Sequence, residues 1–206
     1  MATLTDIKAV INKMIAHGDL GQHICFFGGS MPYIYHGKES GREHSDIDVL
    51  VDEECMDYVR KLLKEVGIYR QERDSLSLGL DRDYGLKVFI DGVYVEFEPM
   101  MIKDGYLSRA SFSPDKKVAG IEVTPFLEIE DIMVPVTIDG IQTLTESMEL
   151  IRASKAKYGR KKDIDDIAFI DGKGIDLEKY GRVVTYLRET VPDIAPYEEL
   201  RNRTLK

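Results

Sequence analysis

The chain has 206 residues, 43% hydrophobic and 32% charged, which fits one globular domain or one domain with a small appendage. Acidic residues outnumber basic ones by 37 to 28, for a net charge of −9. That balance argues against long nucleic acid as the main partner, because phosphate binding is driven by Lys and Arg. A local basic patch for a nucleoside triphosphate stays open. Cys25 and Cys55 sit in no metal-ligand spacing, and the expected compartment is reducing and cytoplasmic. The first residues carry no apolar core of signal-peptide type, and no run approaches the length of a membrane span.

Thr5 to Ala16 predicts an amphipathic helix, with Ile7, Val10, Ile11, Met14 and Ile15 at helical spacing and Thr5 as its N-cap. His23 to Phe27 reads as a short strand that stops at Gly28-Gly29-Ser30. Met31 to His36 reads as a helix, with Pro32 in the first turn, where a missing N–H costs nothing. Gly37 to His44 is a polar loop, and Ile47 to Val51 is a buried strand. Glu53 to Glu65 is a second amphipathic helix, capped by Gly67. Tyr69 to Asp83 is ambiguous, with short strands around Leu76 to Leu80.

Leu86 to Ile90 and Val93 to Met100 flank Asp91-Gly92, the strongest short-range hairpin signal in the chain. Asp104 to Gly120 reads as irregular, and Ile121 to Phe126 and Met133 to Ile138 as short strands. Thr145 is the expected cap of a helix running to about Tyr158. Lys162 to Ile170 and Leu177 to Glu189 are the last helices, and the tail after Pro192 is peripheral. Composition turns from strand-rich to helix-rich after Thr143. The expected class is α+β, with a mixed sheet flanked by helices. Residues 1–143 form the main domain and 144–206 a short helical part packed on it.

The chemistry gathers in Phe26 to Val51. Side chains two apart on a strand share a face, so Asp46 and Asp48 project together while Ile47 packs inward. Two adjacent carboxylates call for a positive partner, and two such ligands plus substrate phosphates is a common way to hold Mg²⁺. Asp-x-Asp alone also occurs in surface turns. Here apolar residues follow at once, and a later strand carries Glu96 and Glu98 on one face. If the strands are neighbours, three carboxylates converge, enough for one or two Mg²⁺. Upstream, Gly28, Gly29 and Ser30 allow close approach of a ligand and leave N–H groups for phosphate oxygens.

Gly-Gly-Ser, then a gap, then Arg42-Glu43-His44-Ser45-Asp46-Ile47-Asp48, then Glu96-Phe97-Glu98-Pro99-Met100, resembles the polymerase-beta-like nucleotidyltransferase superfamily. The motif is most similar to the antibiotic nucleotidyltransferases of lincosamide and aminoglycoside type and their uncharacterised relatives. Arg160-Lys161-Lys162-Asp163-Ile164-Asp165-Asp166 looks like the Arg-x-Lys-Asp-x-x-Asp signature after the catalytic sheet of such proteins. The resemblance spans roughly Cys25 to Ile170. It implies a nucleotidyltransferase-type mixed sheet. It also implies Mg²⁺ or Mn²⁺ on Asp46, Asp48 and Glu96, with the same three carboxylates catalytic. An acid three residues before a proline favours Glu96 over Glu98. The implied activity moves a nucleoside monophosphate from a nucleoside triphosphate such as ATP to a hydroxyl of a small-molecule acceptor, releasing pyrophosphate. A glutamate is longer than the superfamily's usual aspartate and could act as general base.

Arg42 is a phosphate or nucleotide contact or else a solvated loop residue. His44 reads as structural or as orienting a carboxylate. Lys155, Lys157, Arg160, Lys161 and Lys162 form the densest basic run. It is either a solvated helix end or a triphosphate clamp, with Lys157 and Lys162 the better candidates. Asp163 and Asp166 are expected to fix these basic side chains. The alternatives are a toxin-like nucleotidyltransferase acting on protein or tRNA, and a non-catalytic nucleotide-binding regulator. The acceptor, the preferred triphosphate and a possible homodimer are open.

Overall fold

A computed structural model describes residues 2–17, 19–65, 71–73, 86–103, 106–112, 118–123 and 127–190. Helix α1 (Leu4–Ile15) buries Ile7, Val10, Ile11, Met14 and Ile15 as its spacing predicts. Its cap is Thr3, not Thr5: the Thr3 side chain accepts from the Asp6 N–H while the Asp6 carboxylate receives the Thr3 N–H, a capping box. Strand β1 (Ile24–Phe27) follows, then the glycine turn and the short helix α2 (Met31–Tyr35) with its proline in the first turn. Ala2 pairs with His44 in an isolated antiparallel bridge, which fixes the polar loop beside the next strand.

Strand β2 (Asp46–Asp52) is longer than expected at both ends. The helix expected over 53–65 begins as a 3-10 turn at Glu53–Cys55 and becomes α3 at Met56–Glu65. Strand β3 is Gln71–Arg73; Gly67 and Leu76 to Leu80 lie outside the described residues. Strands β4 (Leu86–Ile90) and β5 (Val93–Lys103) form the expected hairpin, with Asp91 and Gly92 both at positive φ as a type I′ turn requires.

The stretch read as irregular differs most. It contains β6 (Tyr106–Phe112) and the start of β7 (Val118–Val123), whose later residues coincide with the strand expected from Ile121; the two form a second antiparallel pair continuing from the far end of β5. Short α4 (Ile129–Ile132) leads into β8 (Met133–Ile138) and β9 (Ile141–Glu146). Their turn, Asp139-Gly140, repeats the positive-φ pair. The cap of α5 (Met148–Tyr158) is Ser147, not Thr145, which instead extends β9. The 143/144 division falls inside that strand. Helices α6 (Lys161–Asp171) and α7 (Leu177–Thr190) complete the described chain. The segment after Pro192 lies outside it.

The main sheet path runs β3-β4-β5-β2-β1-β9-β8. The β2–β5 and β1–β9 contacts are parallel; the other contacts along that path are antiparallel. The fold is thus a mixed sheet flanked by helices. On one face Ile24, Phe26, Ile47, Val49, Val95 and Phe97 join the core formed with α1 and α3. Each fully buried apolar side chain of this size contributes about 1.5–3 kcal/mol. On the other face Cys25, Leu50 and Met100 pack with Ala153, Ala156, Ile167 and Val183 of the last three helices. Buried Arg152 ties those helices together by bonds to Asp171 and Tyr180. Toward the start of β2, this second face changes from Leu50 to Asp48 and Asp46. No helix among the described residues is long and apolar enough to cross a membrane.

Candidate active site

The β2–β5 register sets Asp46 beside Tyr94, Asp48 beside Glu96, and Leu50 beside Glu98. On the other side of β2, Asp48 faces Phe27. Strand β9 runs parallel to β1 with Thr145 beside Phe26, which brings Glu146 next to Phe27. Alternation then places Asp46, Asp48, Glu96, Glu98 and Glu146 on one face. Burial raises the Asp48 carboxyl to about 7, with the charges of Asp46, Glu98, Glu96 and Glu146 adding to the effect. Lys87 on β4 pairs with Glu96 at 2.6 Å. The sequence reading missed both Lys87 and Glu146. Glu146 ends β9, and no local signal in the sequence marks it, because its place depends on β9 pairing with β1.

The donors are carboxylate oxygens, the type a hard divalent cation takes, but among the described residues Glu96 is paired to Lys87 and does not close with Asp46 and Asp48 into a three-donor group. Burial, with the neighbouring negative charges, drives Asp48 toward protonation. Asp46 and Asp48 would hold Mg²⁺, with Glu96 beside them.

Gly28 ends β1 at φ +93°, and a Cβ there would stand 2.8 Å from Asp48 Oδ2. Its N–H donates to Glu146 Oε2 at 3.2 Å. A Cβ on Gly29 would lie 2.7 Å from Lys155 Nζ and 3.0 Å from both Arg42 Nη2 and Asp166 Oδ2. The two glycines are therefore required by close approach, one to the metal-ligand candidate and one to a charged network. Ser30 follows, buried, at the cap of α2.

That network is built on Asp166, which is fully buried on α6. Arg42 Nη2 donates to both its oxygens, at 3.0 and 2.8 Å. Tyr33 OH donates to Oδ1 at 2.9 Å, and Lys155 Nζ lies 3.2 Å from Oδ2. Lys155 also reaches Asp163 Oδ1 at 3.3 Å. Burial tends to raise Asp163, but hydrogen bonds from Arg160 and the Lys155 charge hold it below the ordinary carboxylate range. Asp163 and Asp166 thus fix basic side chains from two helices and a loop. The turn of α6 explains the spacing: residues three apart share a face, and this face meets α5 and the loop before β2.

His44 is held by the same loop. Arg42 Nη1 lies 3.2 Å from Nδ1, so Nδ1 accepts; Nε2 then carries the proton and donates to Ser40 Oγ at 2.8 Å. Burial and the neighbouring Arg42 charge push its pKa down to about 4. His44 is a neutral spacer that orients Arg42.

A cavity of about 450 Å³ opens between these groups. Of the sequence-predicted residues, Gly28, Gly29, Ser30, Arg42, Asp46, Asp48 and Lys162 line it. Lys155 and Arg160 also line it, whereas Glu96 and Glu98 stand beside it on β5. Lys157 belongs to α5, and its side chain lies outside the described residues. Arg42 is neither a solvated loop residue nor spare: its Nη atoms are engaged, while the buried Nε has no hydrogen-bond partner among the described residues. Tyr33 stacks on Phe169 with centroids 4.3 Å apart, so it packs and bonds Asp166 at once.

No family model and no curated protein sequence matches the chain. Solved structures do match. The lincomycin-bound lincosamide antibiotic adenylyltransferase LnuA is 18% identical, with a TM-score of 0.59 over 82% of this chain and 97% of that one. The solution structure of the antibiotic-resistance factor ANT(2'')-Ia is 18% identical, with a TM-score of 0.60 over 97% of both chains. Its crystal structure with adenylyl-2''-tobramycin gives 0.50 over 96% and 98%. The chain has the polymerase-beta-like nucleotidyltransferase fold.

Proposed function

We propose that the protein is a Mg²⁺-dependent nucleotidyltransferase that moves a nucleoside monophosphate from a triphosphate to a hydroxyl of a small-molecule acceptor. The observation that carries this reading is the position of Asp48. It is a carboxylate pushed toward protonation by its burial and by four others, directly against a glycine turn, on the wall of a cavity whose other side is basic. The similar antibiotic adenylyltransferases support a nucleotide donor and a small acceptor.

The metal, when bound, neutralises phosphate oxygens and the charge that develops on the leaving pyrophosphate. The chain's own residues do the positioning. Gly28 and Gly29 let the triphosphate reach the sheet, with Ser30 beside them. Lys155, Arg160 and Lys162 set positive charge on the facing wall. Arg42, held by Asp166, keeps the loop and α6 at a fixed distance across that wall. The acceptor oxygen forms a bond to the α-phosphorus as the bond to the pyrophosphate oxygen breaks. Glu96 accepts the hydroxyl proton, with Lys87 beside it to steady the carboxylate. The acidic surface favours a small acceptor over RNA.

The test is a pyrophosphate-release assay with a panel of triphosphates and hydroxylated acceptors, with and without Mg²⁺, beside an Asp46→Asn, Asp48→Asn variant. Calorimetry of triphosphate binding runs in parallel. Metal-dependent binding lost in the variant supports the proposal. Equal binding by both proteins, or none by the wild type, refutes it.

A further inference from the structure

The end of the β1–β2 pair opposite the cavity carries a second group of donors. His23 precedes β1 and Asp52 ends β2, where the Asp52 N–H donates to the His23 carbonyl at 3.1 Å. Cys55 closes the following 3-10 turn. One imidazole nitrogen, the Cys55 thiol sulfur and one Asp52 carboxylate oxygen all lie within 4.8 Å of one another. Asp19 stands on the far side, its Oδ2 3.6 Å from His23 Nε2, and its carboxylate receives a hydrogen bond from the Tyr58 hydroxyl. We propose that His23, Asp52 and Cys55 form a three-donor binding site for a thiophilic divalent cation of the Zn²⁺ type, with Asp19 bracing the His23 ring.

The donor set selects the ion. Sulfur, nitrogen and carboxylate oxygen together suit Zn²⁺, whereas Mg²⁺ takes oxygen ligands. In a tetrahedral site with bonds of about 2.0–2.3 Å, donor atoms sit roughly 3.3–3.8 Å apart. The three atoms, all within 4.8 Å of one another, therefore need to close by at most about 1–1.5 Å, within reach of side-chain rotation. The site is also braced as ligand shells usually are. The Glu54 N–H donates to Asp52 Oδ1 at 3.3 Å, leaving Oδ2 to turn inward, and Tyr58 steadies Asp19. Without a cation, burial and the carboxylates of Asp52, Asp19 and Glu54 hold the Cys55 thiol above its ordinary value. A cation reverses that field; binding ionises the thiol, and its proton leaves to solvent.

The spacing in the chain hides this site, because its members come from three segments that only the antiparallel pairing of β1 and β2 brings together. Its role follows from its place. It clamps the start of β1, the end of β2 and the approach to α3, and so braces the strands that carry Gly28 and Asp48 at their other ends. It does not depend on the nucleotidyltransferase reading.

Chelator-treated full-length protein titrated with Co²⁺ tests it. One equivalent is expected to develop a thiolate-to-cobalt charge-transfer band, which Zn²⁺ then bleaches. Cys55→Ser should abolish the band and His23→Ala should weaken the apparent affinity by about tenfold or more. The Asp46→Asn, Asp48→Asn variant should keep it. No band in the wild type, a band that persists in Cys55→Ser, or one that disappears with the aspartate pair overturns the proposal. Alkylation of wild-type protein guards against a variant that fails to fold. Zn²⁺ should protect Cys55, and equal labelling with and without Zn²⁺ also overturns the site.

Discussion

Asp48 stands beside Glu96 in the parallel register of β2 and β5, on a face shared with Asp46, Glu98 and Glu146. The fold therefore disfavours ionised Asp48, whose pKa rises from 3.8 to about 7. Because the folded value is the higher one, the protonated group stabilises the fold. That contribution is full below 3.8 and is lost as pH rises through about 7. His44, depressed from 6.5 to about 4, works in the opposite sense, adding stability that is lost as pH falls through 4. The difference between wild type and Asp48→Asn isolates the aspartate. Without metal, Asp48→Asn should gain on wild type as pH rises, by ~1–3 kcal/mol at about pH 8. Mg²⁺ competes with the proton, so its stabilising effect should grow over the same window and be lost in Asp48→Asn. Thermal melts across pH with and without Mg²⁺ measure both; a pH-independent difference would count against the crowded-acid site.

The two glycines should separate in their effects. Gly28→Ala forces a side chain into positive φ and puts its Cβ 2.8 Å from the Asp48 carboxylate. The expected cost is about 1–2 kcal/mol of backbone strain, with loss of metal-dependent triphosphate binding. Gly29→Ala meets the end of the flexible Lys155 side chain first, at 2.7 Å. Moving Lys155 breaks its pairs with buried Asp163 and Asp166, and Arg42 Nη2 and Asp166 Oδ2 stand only 3.0 Å away, so the stability loss should be larger than for Gly28→Ala, ~3 kcal/mol, while triphosphate affinity falls by about tenfold. Denaturant melts with calorimetry on both variants check this. Equal stability losses would show that the two positions are not distinguished in this way.

Much of this site was legible in the residues. Asp46, Asp48 and the Asp91-Gly92 hairpin follow from strand alternation and turn chemistry, which are local. The resemblance led to Glu96, and the β2–β5 register sets it beside Asp48. Glu146 was not legible, because its nearness to Gly28 depends on β9 returning parallel to β1 across more than a hundred residues. Lys155 was one of five basic residues in a run, and only the packing of α5 on α6 selects it. Strand β6 was missed, and the start of β7 was placed three residues late, because Ser, Lys, Asp and Gly in that stretch mask a weak alternation that pairing of β6 with β5 and with β7 sustains.

Asp166 should behave as a structural anchor of the cavity. It is fully buried and bonded to Arg42, Lys155 and Tyr33. Asp166→Ala takes the partner carboxylate from Arg42 and leaves Lys155 with Asp163 alone, and should cost ~3–5 kcal/mol. Tyr33→Phe removes one neutral donor while the cations remain paired, and should cost about 1 kcal/mol. In a double-mutant cycle the two losses should not add, since the Tyr33 bond is already gone in Asp166→Ala. Chemical denaturation of the four proteins gives the coupling, and additive losses would mean the hydrogen bond contributes nothing.

The choice between Glu96 and Glu98 turns on their strand neighbours. Glu96 lies beside Asp48 and is paired to Lys87; Glu98 lies beside Leu50, two residues nearer the apolar end of the face. If Glu96 takes the acceptor proton, Glu96→Gln should lower kcat about 10²–10⁴-fold and leave triphosphate binding within severalfold. Glu98→Gln removes one of the charges that raise Asp48, so its main effect should be a shift of the acidic limb of the pH–rate profile to lower pH. Lys87→Met leaves Glu96 unpaired. The loss of that ion pair should lower kcat less than Glu96→Gln does, without abolishing turnover. Steady-state kinetics of the three variants across pH, with the acceptor identified by the release assay, separate these roles. A Glu98→Gln variant that loses turnover while Glu96→Gln retains it would reassign the base to Glu98.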